Sequence, residues 1–139
     1  SPEVYYVRQK MHETGVDLFL DIHGDEEIPF VFVAGTEGVP SYNERIADLE
    51  QRFKTAFKAA SPDFQDEHGY AKDAPGQANL GLATPYVGET FGCLAYTLEM
   101  PFTDNHNWPD DDFGWNGQRS LRLGEAALSP ILAVLRHLR

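Results

Sequence analysis

The run Val16 to Ile22 (VDLFLDI), followed at once by His23-Gly24-Asp25-Glu26, constrains this chain more than any other stretch. Its valine, leucine, phenylalanine and isoleucine suit a buried strand, and the glycine after His23 reads as the strand's end. In open α/β sheets, ligands are handled at the carboxyl ends of strands. An imidazole delivered there beside carboxylates is a candidate for metal ligation, for base chemistry, or for a plain hydrogen bond in a turn. A second run, Cys93 to Met100 (CLAYTLEM), carries Glu99 at the corresponding place. A glutamate ending such a run is costly to bury unless it is paired or useful. A half-desolvated setting suits a general base, and a structural salt bridge is the alternative. His23 and Glu99 are expected to share one site.

Around these two strands the pattern alternates helix and strand. Ser1-Pro2-Glu3 supplies a cap, a first-turn proline and an acid for a helix from Pro2 to Thr14, with Gly15 as its stop and Val4, Val7 and Met11 as its apolar face. Phe30 to Ala34 is a second short apolar run. Ser41 and Glu44 fit a capping box. They open a helix over Tyr42 to Ala60, whose stripe is Ile46, Leu49, Phe53, Ala56, Phe57 and Ala60 and whose other face is charged. Ser61 to Ala83 is irregular, with Pro62, Gly69, Pro75, Gly76 and Gly81, and a loop of that length commonly walls a site. A short helix from Thr84 to Phe91, stopped by Gly92, leads into the Cys93 strand. A last helix from Gly117 to Leu138 is expected to bury Leu121, Leu128, Ile131, Leu132, Leu135 and Leu138 and to kink or split at Pro130. The order predicts an α/β fold, a partial mixed sheet flanked by helices.

Length and charge set limits. A chain of 139 residues with 42% hydrophobic content makes one domain at most, with a real core. A net charge of −11 disfavours nucleic acids and anionic membrane surfaces as partners. The single cysteine, Cys93, allows no internal disulfide, and with no signal peptide or membrane-length apolar stretch a cytoplasmic setting is expected. Asp110 to Asp112 lack the glycine and glutamate of a calcium loop and read as solvated. Asp25, Glu26 and Glu27 either tune the site or form a solvated turn. His12, His68, His106 and His137 have no partner at ligand spacing and read as surface residues.

The combination DLFLDIHGDE, GQANLGLATPYVGETFG and CLAYTLEMPF resembles the C-terminal half of the zinc carboxypeptidases. Within them it is similar to the bacterial relatives of the cytosolic carboxypeptidases. The resemblance covers essentially the whole chain, and the interval from 23 to 99 matches the family's spacing between third zinc ligand and catalytic glutamate. It implies the C-terminal half of a carboxypeptidase-like α/β/α domain over residues 1–139. It further implies zinc as cofactor, His23 as a metal ligand and Glu99 as the general base. On that reading zinc polarises the scissile carbonyl and acidifies a water, while Glu99 takes the water's proton and passes it to the leaving amine. The substrate class is a peptide or protein C-terminus.

Several positions depart from the family pattern. The His-x-x-Glu motif that supplies the other two ligands is missing, as are the Asn-Arg pair for the substrate carboxylate and the oxyanion arginine. All are expected upstream of Ser1, in the other half of the same domain. With one ligand the chain alone is expected to hold zinc weakly and to be inactive. Gln77-Ala78 matches a pair that follows a mobile tyrosine in the pancreatic branch, but Gly76 occupies the tyrosine's place. Tyr70 and Tyr86 are the candidates to replace it. Ungapped counting puts the branch's specificity position at Thr84, so Gln77 and Thr84 are the expected substrate-binding residues. The same counting predicts cis peptides at Gly24-Asp25 and Pro101-Phe102. Two other functions fit the motifs: a zinc amidohydrolase that deacylates small acylated amino acids, and an inactive half-domain that only binds.

Overall fold

The structure is a computed structural model that describes residues 1–138. It contains α1 (Pro2–Thr14), β1 (Leu18–Asp25), β2 (Phe32–Ala34), α2 (Glu44–Ala60), α3 (Ala83–Phe91), β3 (Leu94–Pro101), α4 (Gly117–Ala126) and α5 (Leu128–Val134), and a 3-10 turn at Leu135–His137. The sheet has the order β1-β3-β2, with β1 parallel and β2 antiparallel to the central β3. The expected partial mixed sheet flanked by helices is present. No described helix is long and apolar enough to cross a membrane.

Side chains alternate across a strand, so β3 divides its residues between two helical layers. Leu94, Tyr96 and Leu98 enter the larger core with Ile46, Leu49, Phe53 and Phe57 of α2 and Val134 of α5. Ala95 faces the other way, with Val87 of α3 and the half-buried Phe19 and Met11. On that second face the rows continue to Asp21 and His23 of β1 and Thr97 and Glu99 of β3. Towards its C-terminal end, this face therefore turns from apolar to chemical.

Both principal strands run further than the sequence predicts. Gly24 does not stop β1, because it pairs with Met100 and leaves room for Phe102: a Cβ on Gly24 would lie 2.5 Å from that ring. His23 and Glu99 therefore lie two residues inside their strands, opposite each other in the ladder. In contrast β2 is shorter than Phe30–Ala34. Val31 leaves the ladder for a bridge to Phe64, and Phe30 stacks on His68 with ring centroids 4.3 Å apart.

Three helix expectations also change. The cap of α2 is Asn43, whose side chain accepts from the Ile46 amide at 3.1 Å, while the Ser41 amide donates to Glu89 instead of opening a capping box. The last helix divides at Ala127, earlier than Pro130 itself. Proline lacks the N–H that residue 126 would need, and its ring crowds that carbonyl, so α4 ends there. The buried stripe is Leu123, Ala127, Pro130 and Val134, whereas Leu121, Leu128, Leu132 and Leu135 are exposed. Ile131 and Leu138 pack at the core's margin. In α1 no residue is buried, and Val4 and Val7 face outward. No cis peptide occurs among the described residues, so the bonds at Gly24-Asp25 and Pro101-Phe102 are trans.

Candidate active site

A cavity of about 490 Å³ opens over the second sheet face, between the strands, the 66–73 loop and the first turn of α3. Asp21 and His23 of β1, Thr97 and Glu99 of β3, and Phe32, Val33 and Ala34 of β2 are its strand contribution. Two-residue periodicity alone puts Asp21 beside His23 and Thr97 beside Glu99, a signal available in the sequence.

His23 is exposed, and its Nε2 lies 3.1 Å from Asp21 Oδ2. This leaves Nδ1 as the ring's other donor or acceptor. A carboxylate on one ring nitrogen is the usual way to orient an imidazole whose other nitrogen holds a metal. The donor chemistry of His23 thus fits a zinc ligand. Among the described residues, no three His, Cys, Asp or Glu side chains converge as a metal-binding set. The described residues thus bring together fewer than the three protein ligands a catalytic zinc takes.

Glu99 is buried, at 5% exposure, which sharply separates it from the open His23 beside it. Its Oε1 accepts from the Tyr70 hydroxyl at 3.1 Å, and its Oε2 is sealed from solvent with no hydrogen-bond partner in the described structure. Burial raises its carboxyl above the ordinary glutamate value. The Tyr70 hydroxyl and the nearby His23 oppose that rise, and Asp25 and Asp21 add to it. A carboxylate half-satisfied and desolvated accepts a proton readily, which is the property a general base shares with a strained structural acid.

Asp25 belongs to the site and not to a solvated turn. It is buried, its Oδ1 accepts from the Glu27 and Ile28 amides at 2.7 and 2.6 Å, and its Oδ2 accepts from Tyr70 at 2.5 Å. Burial pushes its carboxyl up, but the Tyr70 hydroxyl and the two amides outweigh it, and the group sits below the ordinary aspartate value. Glu26 and Glu27 are exposed as expected.

The two expected substrate-binding residues part company. Thr84 is buried in the first turn of α3, lines the cavity, and shares a 2.7 Å hydrogen bond with Thr97. Gln77 is exposed in a turn closed by its amide to Ala74, and its side chain is not part of the cavity wall. Tyr70 lies in the cavity, whereas the Tyr86 hydroxyl meets His12 at 3.0 Å on the α1 side. A second charged group also lines the cavity: Glu37, with Lys72 Nζ at 2.7 Å and Lys54 Nζ at 3.7 Å. Burial opposes ionisation of Glu37, and the two ammonium groups reverse that, so its carboxyl is lowered. Sequence reading missed Glu37 and Lys54 because they sit on a turn and on the face of α2 taken as solvated.

No protein-family model matches the chain. An uncharacterized protein of Zymomonas mobilis is 46% identical over 129 residues, which is 93% of this chain and 34% of that protein. A metallo-carboxypeptidase from Pseudomonas aeruginosa, solved in complex with (2-guanidinoethylmercapto)succinic acid, superposes with a TM-score of 0.97 at 55% identity. The match covers 100% of this chain and 37% of that one. The fold is carboxypeptidase-like. A carboxypeptidase A candidate from Shewanella denitrificans agrees, with a TM-score of 0.96 and 57% identity over 98% of this chain and 36% of its own. This carboxypeptidase-like chain spans about a third of the length of the relatives it matches.

Proposed function

We propose that the chain supplies part of a zinc carboxypeptidase site, with His23 as one metal ligand and Glu99 as the general base. Its place is in the bacterial branch related to the cytosolic carboxypeptidases, as the C-terminal portion of a longer catalytic domain. One observation carries the reading: His23 and Glu99 are ladder partners on parallel strands and open together into one cavity. The similarity to metallo-carboxypeptidases at 55% identity supports the same assignment. The remaining ligands and the groups that hold the substrate's terminal carboxylate come from the upstream half of that domain.

Zinc, when bound, supplies Lewis acidity at the scissile carbonyl. The chain's own residues do the rest. Asp21 orients the His23 ring through Nε2. Glu99 removes a proton from the attacking water and returns it to the nitrogen of the departing amino acid, so its carboxyl must alternate between two protonation states. The raised value of that carboxyl brings the two states closer in energy near neutrality. Thr84 and Thr97 present polar oxygens at the cavity wall where the substrate's last side chain is to be seated.

The test is Glu99→Gln in the full-length protein. Hydrolysis of N-acylated dipeptides should fall by roughly 100- to 10,000-fold, the range for loss of a general base, while zinc measured by mass spectrometry stays bound. Near-normal turnover removes Glu99 from this role. Preference of the wild type for small N-acyl amino acids over peptides would favour the deacylase alternative.

A further inference from the structure

The hydroxyl of Tyr70 touches two buried carboxylates at once, 2.5 Å from Asp25 Oδ2 and 3.1 Å from Glu99 Oε1. We propose that Tyr70 is a positioning residue: anchored by Asp25, it holds the Glu99 carboxylate in its working orientation. The inference rests on the reading of Glu99 as the base.

The geometry is that of a fixed strut. One hydroxyl hydrogen serves two carboxylates, so the shorter contact, to Asp25, sets the torsion and the longer one spaces Glu99. Asp25 is itself immobile, because its other oxygen is held by two backbone amides. The Tyr70 ring stands edge-on to Phe32, with centroids 5.0 Å apart and planes at 87°. Phe32 is the ladder partner of Glu99 on the far side, so Tyr70 is braced against both neighbours of β3. The preceding residue makes this possible: a Cβ on Gly69 would lie 2.9 Å from the Phe32 ring, so only glycine lets the loop come flush. Upstream, the Gln65 side chain ties the loop to Val31 and His68 by its Nε2 and to the Glu67 and His68 amides by its Oε1. A tyrosine held at this many points is unlike an arm that swings in with substrate. With Oε1 engaged, the orientation of the remaining oxygen of Glu99 is also set.

Tyr70→Phe removes one oxygen and keeps the ring packing. In the full-length, zinc-loaded protein we expect kcat to fall by roughly 10- to 100-fold, as for a misplaced catalytic group, with KM within about twofold. In a Glu99→Gln background the same change should cost almost nothing more, because the group being positioned is gone. A crystal structure of Tyr70→Phe should show the Glu99 carboxylate rotated from its wild-type orientation. Unchanged kcat in Tyr70→Phe with active wild type overturns the proposal and leaves the peptidase reading standing. If the wild type hydrolyses no peptide, the peptidase reading falls, and the crystal structure still decides. A Glu99 carboxylate unmoved by loss of the hydroxyl overturns the strut, and a rotated one upholds it. Should Tyr70→Phe fail to fold, Asp25→Asn, which keeps an oxygen for the two amides, must produce the same rotation and the same loss of kcat.

Discussion

Arg119 offers the sharpest test of how the site's surroundings are held together. Its side chain is 5% exposed. It reaches Asp63 Oδ1 through Nε and Nη2 at 3.2 and 2.5 Å, Asp104 Oδ1 through Nη1 at 3.0 Å, and the carbonyls of Trp108 and Gly114. The cluster pins the loop after β3 to the loop after α2. Arg119→Met fills similar volume and removes every one of these donors. Asp104 keeps the amides of Asn105 and Asp110 at 2.7 and 2.8 Å, so most of the loss falls on Asp63, left with Asn105 Nδ2. Removing one partner of a buried pair costs about 3–5 kcal/mol. For a chain of this size that lowers Tm by roughly 10–20 °C. The chain's two tryptophans, Trp108 and Trp115, both belong to the cluster, Trp115 with its ring 5.1 Å from the guanidinium. Tryptophan fluorescence during urea and thermal unfolding therefore reports on it directly. Adding Asp63→Asn to Arg119→Met should recover part of the loss, since an uncompensated buried charge is removed. An Arg119→Met chain within about 1 kcal/mol of wild type would refute the reasoning, because a buried carboxylate abandoned by its cation should cost several times that.

Two further stability predictions concern the buried side of α2. Glu50 is 3% exposed and accepts from the Thr36 amide and the Tyr42 hydroxyl, yet burial first and Glu37 second raise its carboxyl above the ordinary value. The folded state thus binds this proton more tightly than the unfolded state. The resulting stabilisation is full below the unfolded value of about 4.3 and is lost as pH rises through the raised value. Urea midpoints of wild type should therefore fall relative to Glu50→Gln between mildly acidic and neutral pH; a pH-independent difference would contradict the assignment. Tyr96 is 1% exposed and its hydroxyl has no hydrogen-bond partner in the described structure. Tyr96→Phe should be neutral or stabilising by up to about 1–3 kcal/mol, and a clear drop in Tm would mean that the hydroxyl is satisfied after all.

Much of this was legible in the sequence because it depended on period and punctuation. The ranges of α1 and α3, the Gly92 stop in the left-handed region at φ 58°, and the core stripe of α2 follow local rules. The pairing of His23 with Glu99 followed from two similar apolar runs. What escaped depended on contacts distant in sequence. The end of β1 is set by Phe102 over Gly24, and the partners of Tyr70 and Arg119 lie 29 to 56 residues from them, apart from Asp104, the Trp115 ring and the two carbonyls near Arg119. The leucines of the last helix misled because leucine marks a buried face only where another layer covers it. Here the covered stripe is Leu123, Ala127, Pro130 and Val134, mostly smaller residues one or two positions away from the exposed leucines.

The most direct test of the central claim is anomalous diffraction at the zinc edge from crystals of the full-length, zinc-loaded protein. A single strong peak about 2.0–2.1 Å from a ring nitrogen of His23, the ordinary zinc–histidine distance, with Glu99 facing it and not bound to it, is the predicted result. A zinc site remote from His23, or one that takes Glu99 as a ligand in place of His23, would contradict the roles assigned to both residues.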